Sequence, residues 1–184
     1  MSRRVAVLVG SLRKASFNRM AANALIGLAP PSLGLHIVEL GDLPLYNADV
    51  ENDADRPRAW TRFRDEVRPA AGLIFVTPEF NRSVPGALKN AIDVGSRPYG
   101  KSVFAAKRGA VMSVSPGAIG GFGANHHLRQ SLVFLDVFAM QQPEAYVGGA
   151  AKHFNEAGEL VDESTRGFFK MFIDAFAAWM DRLG

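Results

Sequence analysis

The feature that most constrains this chain is an apolar run, Val5-Ala6-Val7-Leu8-Val9, that stops at Gly10 and gives way to the polar stretch GSLRKASFN, Gly10 to Asn18. A run apolar at every position, rather than at every second one, reads as a strand covered on both faces, the habit of a parallel sheet. Beyond it Met20, Ala24, Leu25 and Leu28 recur at helical spacing. Strand, polar loop and helix N-terminus in that order make an anion site. The first helical turn carries unpaired N–H groups and the positive end of the helix dipole. Ser11, Ser16 and Asn18 offer side-chain hydrogen bonds to phosphate oxygens, and Arg13 a charge-assisted one. The same residues also fit an ordinary βα loop with Ser16 or Asn18 as N-cap. The loop alone leaves both readings open.

The alternation then repeats. Pro30-Pro31 and Gly34 break the chain, and Leu35 to Leu40 reads as a second strand. After the polar loop Gly41 to Asp55, Pro57 opens a helix through Val67 with Trp60, Phe63 and Val67 on one face. Gly72 to Thr77 is a third strand. Pro85 starts a helix in which Leu88, Ala91, Ile92 and Gly95 share a face, and Gly109 to Val114 is a fourth strand. The glycine-rich loop Ser115 to Gly123, SPGAIGGFG, precedes a helix carrying Leu128, Leu132 and Leu135. A fifth strand is expected within Phe138 to Val147. A final helix is expected over Ser164 to Leu183, with Phe168, Phe172, Phe176 and Trp179 as a core-packing stripe. No linker or internal repeat divides the chain. Residues 1–184 are therefore expected to form a single α/β domain, a doubly wound five-stranded parallel sheet with helices on both faces. Ligands of such sheets sit beyond the carboxyl ends of the strands, near a switch point. Gly10–Asn18, Pro78–Val84 and Ser115–Gly123 should all open on that edge.

Composition excludes several alternatives. A chain of 184 residues suits one well-buried domain, and 48% apolar with 21% charged residues is not the balance of a disordered chain. With no cysteine, disulfides, thiolate metal sites and thiol catalysis are excluded. The net charge of +3 is scattered, without a basic block or nucleic-acid motif, so it suits attraction of anionic small molecules and not nucleic acid. The apolar run behind Met1-Ser2-Arg3-Arg4 is too short for a signal peptide, and no stretch approaches a membrane span. A cytoplasmic protein without membrane insertion is expected. No metal is expected either: His126 and His127 are adjacent on a helix and cannot face one ligand, and His36 and His153 lack partners at metal spacing. Gly95 to Ser102, GSRPYGKS, matches the phosphate-loop pattern GxxxxGK[ST], and Leu132 to Asp136 resembles its magnesium-binding companion. The pattern needs a strand before it and a helix after it. Here a Pro-initiated helix precedes, and Val103 to Arg108 is too short for the helix, so a P-loop nucleotidase is a remote alternative. The run Gly117 to Gly123 is not GxGxxG, which disfavours a Rossmann dinucleotide domain.

Three stretches together are more specific than any one. GSLRKASFN after the first strand, TPEFNRSVPGALKNAID after the third and SPGAIGG after the fourth resemble the NADPH-dependent FMN reductase family, in particular its chromate and quinone reductase branch. The resemblance continues through HLRQSLVFLDV and QPE to the terminal helix. It implies a flavodoxin-like fold and FMN as cofactor. The phosphate would lie among Ser11, Arg13, Ser16, Phe17 and Asn18, the isoalloxazine against Pro78, Glu79, Phe80 and Asn81, and Ser115, Pro116 and Gly117 would close the site. The family commonly has Tyr at the position of Phe80, which keeps the ring and lacks the hydroxyl. It also implies a homodimer, or a dimer of dimers, with flavin near the interface. The helix from Pro85 would pair with its partner through Ala87, Val94 or their neighbours, and Arg82, Arg97 and Lys101 would sit at the mouth of the site.

The implied reaction passes electrons from NADPH or NADH through FMN to quinones, or to chromate, azo or nitro compounds. Flavin carries the hydride and electron steps, so no catalytic side chain is required and none is apparent. A non-catalytic electron carrier or flavin sensor is the alternative. Carriers of this fold tend to be acidic, whereas this chain is basic.

Overall fold

The computed structural model describes residues 2–52 and 54–182. Six strands, β1 (Arg3–Val9), β2 (Leu33–Val38), β3 (Gly72–Thr77), β4 (Arg108–Val114), β5 (Phe138–Ala139) and β6 (Ala145–Val147), form one sheet. The order is β2-β1-β3-β4-β5, β6 also pairs with β4, and every pairing is parallel. The centre of the sheet is β3, buried at every position, as a continuous apolar run demands.

Alternation along each strand splits the core in two. Val5, Val7, Val9, Ile74 and Val76 pack under α1 (Phe17–Leu28) and α5 (Glu163–Arg182). Ala6, Leu8, Leu73 and Phe75 pack on the opposite face, under α2 (Arg58–Val67), α3 (Gly86–Gly95) and α4 (Phe122–Phe134). The chain leaves β1 through α1 for β2 on one side, then returns through α2 to β3 on the other. The carboxyl ends of β1 and β3 therefore flank a switch point, where a crevice opens. No helix among the described residues is long and apolar enough to cross a membrane.

Four boundaries differ from the sequence expectation. The second strand begins at Leu33 and includes Gly34, paired with Arg4. On an edge strand the glycine has no second neighbour to pack against, so it does not end the strand. The fifth strand is split: β5 pairs with the start of β4 and β6 with its end, with three extra residues between the two registers. Pro143 lies in that detour and has no N–H for the ladder. Leu135 caps α4 instead of belonging to it. In α5 the buried stripe is Phe169, Phe172, Ile173, Phe176 and Met180, and Phe168 and Trp179 only flank it. The expected end of this helix at Leu183 lies outside the described residues.

Candidate functional site

The crevice is built by the loops that leave β1, β3 and β4. Ser11, Arg13, Ser16, Phe17 and Asn18 from the first, Pro78, Glu79 and Phe80 from the second, and Val114, Ser115 and Pro116 from the third line one cavity of about 200 Å³. An adjoining cavity of about 370 Å³ shares Ser11, Arg13 and Phe80 and continues over Leu12, Pro85, Gly86 and Ala87. Gly10 lets the walls close: a Cβ there would stand 3.2 Å from Leu88 and Pro78 and 3.3 Å from Thr77. The largest cavity, about 790 Å³, lies elsewhere, between α1 and residues 157–166, and none of these loops reaches it.

The first loop is rich in uncommitted donors. Among the described residues the backbone N–H groups from Ser11 to Asn18 make no hydrogen bond. Ser16 caps α1 by accepting from the Arg19 N–H at 3.3 Å, which leaves its own hydroxyl hydrogen free. The first turn of α1 carries no acidic residue, so nothing there opposes an anion. Asn18 is buried. Its Nδ2 donates to the Val114 carbonyl at 3.2 Å, tying α1 to the end of β4, and its Oδ1 has no partner. Paired to nothing, the exposed Arg13 guanidinium borders both cavities.

The second loop is a tight reversal. Phe80 and Ser83 exchange two backbone hydrogen bonds of 3.1 and 2.9 Å, and Asn81 and Arg82 both have positive φ, 51° and 62°. This is the mirror-image turn that suits twisted strands. It puts Asn81 at the tip, outside both cavities, and leaves the Phe80 ring 55% exposed at the mouth. Glu79 is neither a solvated carboxylate nor solely a cavity wall. Its Oε2 accepts from the Ala124 N–H at 3.0 Å, within the first turn of α4, which has no side-chain cap of its own. Arg82 Nη1 lies 3.6 Å from Glu79 Oε1 with its side chain 76% exposed. Gly121, at φ 76°, turns the third loop into α4.

Ten of the twelve residues expected around the cofactor line the smaller cavity; Asn81 and Gly117 do not. Arg82 is on the rim, whereas Arg97 and Lys101 line neither cavity, since both lie beyond the far end of α3. Val94 is fully buried, with its carbonyl taken by Arg64 Nε at 2.9 Å, so it offers nothing to a partner; Ala87 is half-buried and does. Sequence reading missed Val114, although the last residue of a central strand always borders the crevice. It also missed Leu12, whose apolar side chain is 56% exposed at the rim. Arg13 and Glu79 are the ionisable side chains on the smaller cavity. Among the described residues, no group of three or more His, Cys, Asp or Glu is placed to hold a metal.

A family model for NADPH-dependent FMN reductase matches residues 3–152. The chain belongs to that family. Within it the reductase lies on the quinone reductase branch. It is 65% identical over 176 residues to a quinone reductase of Pseudomonas putida, covering 96% of this chain and 94% of that one. It is 44% identical to a 2-hydroxy-1,4-benzoquinone reductase of a Burkholderia species, covering 98% and 97%. Its fold superposes on FerB, a flavoenzyme NAD(P)H:(acceptor) oxidoreductase from Paracoccus denitrificans, with a TM-score of 0.91, 40% identity and 99% of both chains covered. FMN is therefore the cofactor of this reductase and NAD(P)H its electron donor. The residues present fit that cofactor: unpaired donors at an uncharged helix start suit its phosphate, and Asn18 Oδ1 is a buried acceptor awaiting a hydroxyl or N–H.

Proposed function

We propose that this chain reduces quinones with NAD(P)H, using FMN held where the three loops converge. The observation that carries the reading is the cavity those loops line, with free backbone donors on one side, an exposed aromatic ring at its mouth and no acid–base pair. The N–H groups of Ser11 to Asn18, the hydroxyls of Ser11 and Ser16 and the Arg13 guanidinium would hold the phosphate, with Phe17 beside it. Pro78 and Phe80 would flank the isoalloxazine, Glu79 and Asn81 would hold that wall through the turn, and Ser115, Pro116 and Gly117 would close it. Bound FMN supplies the step that accepts hydride and returns two electrons. The protein's share is to bind, orient and shield. Because donor and acceptor would use one exposed face, Phe80, Leu12 and Arg82 at the rim would meet the acceptor.

On this reading the whole chain serves as one FMN-binding domain in the cytoplasm, where NAD(P)H is available. The working unit would be a homodimer or a dimer of dimers, with Ala87 on the shared surface and Arg97 and Lys101 reaching a partner's site. Chromate, azo and nitro compounds would be secondary acceptors of the same exposed flavin.

Two measurements test it. Denaturation of the FMN-loaded protein should release FMN and not FAD. Initial rates with NAD(P)H and a benzoquinone should give parallel double-reciprocal lines. Negligible NAD(P)H oxidation by the loaded protein would instead identify an electron carrier or sensor, and intersecting lines would mean that both substrates bind together.

A further inference from the structure

The third loop, Ser115 to Gly117, has few contacts of its own and is braced from behind. Ser115 N–H donates to Val147 O at 2.9 Å, Ala150 N–H to Ser115 O at 3.1 Å, and Gly149 N–H to Gly117 O at 3.3 Å. The brace, residues 147–150, is a strand end followed by two glycines, Gly148 and Gly149, the latter at φ 63°. Such a segment is not rigid by itself.

What fixes it is a side chain outside every stretch that marks the family. His153 Nε2 lies 2.9 Å from Gly148 O. A carbonyl can only accept, so this nitrogen carries a proton. In the neutral ring Nδ1 is then an acceptor, and the Thr165 hydroxyl stands 3.0 Å from it. Thr165 is itself held at the start of α5, where its N–H donates to Asp162 Oδ1 at 2.7 Å; that carboxylate lies 3.6 Å from His153 Nδ1. Thr, His and Asp in contact resemble a nucleophile-activating set, but Nε2 is committed to a backbone carbonyl and no nucleophile is activated. The ring is instead a strut between α5 and the glycine brace.

We propose that His153 is a positioning residue for cofactor binding: oriented by Thr165, it holds the Gly148 carbonyl and thereby fixes the loop Ser115 to Gly117 against FMN. This rests on the reading that this loop borders the flavin. The strut explains why a half-buried histidine is wedged between the end of β6 and the first turn of α5, although neither element reaches the cavity.

The test is site-resolved amide exchange in the apoprotein, together with FMN affinity from quenching of flavin fluorescence. His153→Phe keeps a ring and removes both hydrogen bonds. The Gly149 and Ala150 amides should exchange about tenfold faster, and FMN should bind about tenfold more weakly, the effect of one lost hydrogen bond. His153→Gln has an N–H and a carbonyl oxygen on one side chain and should restore both readouts to within about threefold. Thr165→Val keeps its N–H bond to Asp162, so α5 still starts, and should shift both readouts the same way if His153→Phe does not fold. Unchanged exchange in either loss variant, or faster exchange with unchanged FMN affinity, overturns the proposal. Failure of the underlying reading looks different: in the native protein, adding FMN would leave the Ser115 and Gly117 amides unprotected.

Discussion

Glu79 offers the sharpest test of how the flavin loops are held. Its carboxylate reaches from the β3 loop to the otherwise uncapped start of α4, with its side chain only 14% exposed. A hydrogen bond to a charged partner contributes about 1.5–3 kcal/mol, and the helix dipole adds a few tenths or more where solvent is partly excluded. Arg82 adds little, being 76% exposed at 3.6 Å. Glu79→Ala should therefore cost about 2 kcal/mol, and Glu79→Gln, which keeps a neutral acceptor, about 1 kcal/mol. Arg82→Ala should cost no more than about 0.5 kcal/mol. Urea unfolding of the apoprotein reads these differences as a shift of the midpoint of roughly 1 M for the alanine variant. FMN affinity should fall in the same order, because Glu79 also lines the cavity. The reasoning is refuted if Glu79→Ala costs less than about 0.5 kcal/mol, or if Arg82→Ala matches it. In the latter case the ion pair, not the helix start, anchors the loop.

Arg13→Ala should weaken FMN about ten- to a hundredfold through the loss of a charge-assisted bond, and unchanged quenching titrations would make Arg13 a solvated residue. Glu51 is buried against Arg64 through two bonds of 2.8 Å, so Glu51→Gln should cost about 3–5 kcal/mol in urea unfolding by leaving the guanidinium unpaired. The Arg64 hydrogen bonds hold the Glu51 carboxyl below the ordinary range. Its stabilising contribution is thus present above the unfolded pKa of about 4.3 and lost as pH falls through the folded value. An acid limb as steep in Glu51→Gln as in the native protein would refute that assignment. Sedimentation of the FMN-loaded protein should show at least a dimer at micromolar concentration, and a monomer would remove Arg97 and Lys101 from the site altogether.

How much of this was legible follows from what each residue depends on. Buried strands announce themselves by composition, so β1, β3 and β4 are evident as runs, and their order follows once each is joined to the next by a helix. The crevice was legible for the same reason, since parallel strands deliver all their outgoing loops to one edge. What escaped depends on contacts between distant positions. That Glu79 caps α4 requires knowing that residues 45 apart in sequence meet, and no periodicity encodes that. Val94 and Ala87 look alike as apolar residues on one helix. They separate only because Arg64 of α2 covers the first and nothing covers the second so fully.

The split fifth strand shows where such limits have consequences. Read as a pattern, residues 138–147 hold one strand. Folded, they hold two short ones, and only the second, β6, reaches the carboxyl end of β4, where Ser115 begins the third loop. Three extra residues around Pro143 set the register in which Val147 meets Ser115. The brace behind the flavin loop is thus positioned by a detour rather than by a continuous ladder. A detour lacks the hydrogen bonds that fix a strand, so its far end needs an anchor elsewhere. His153 and the start of α5 stand where that anchor is required.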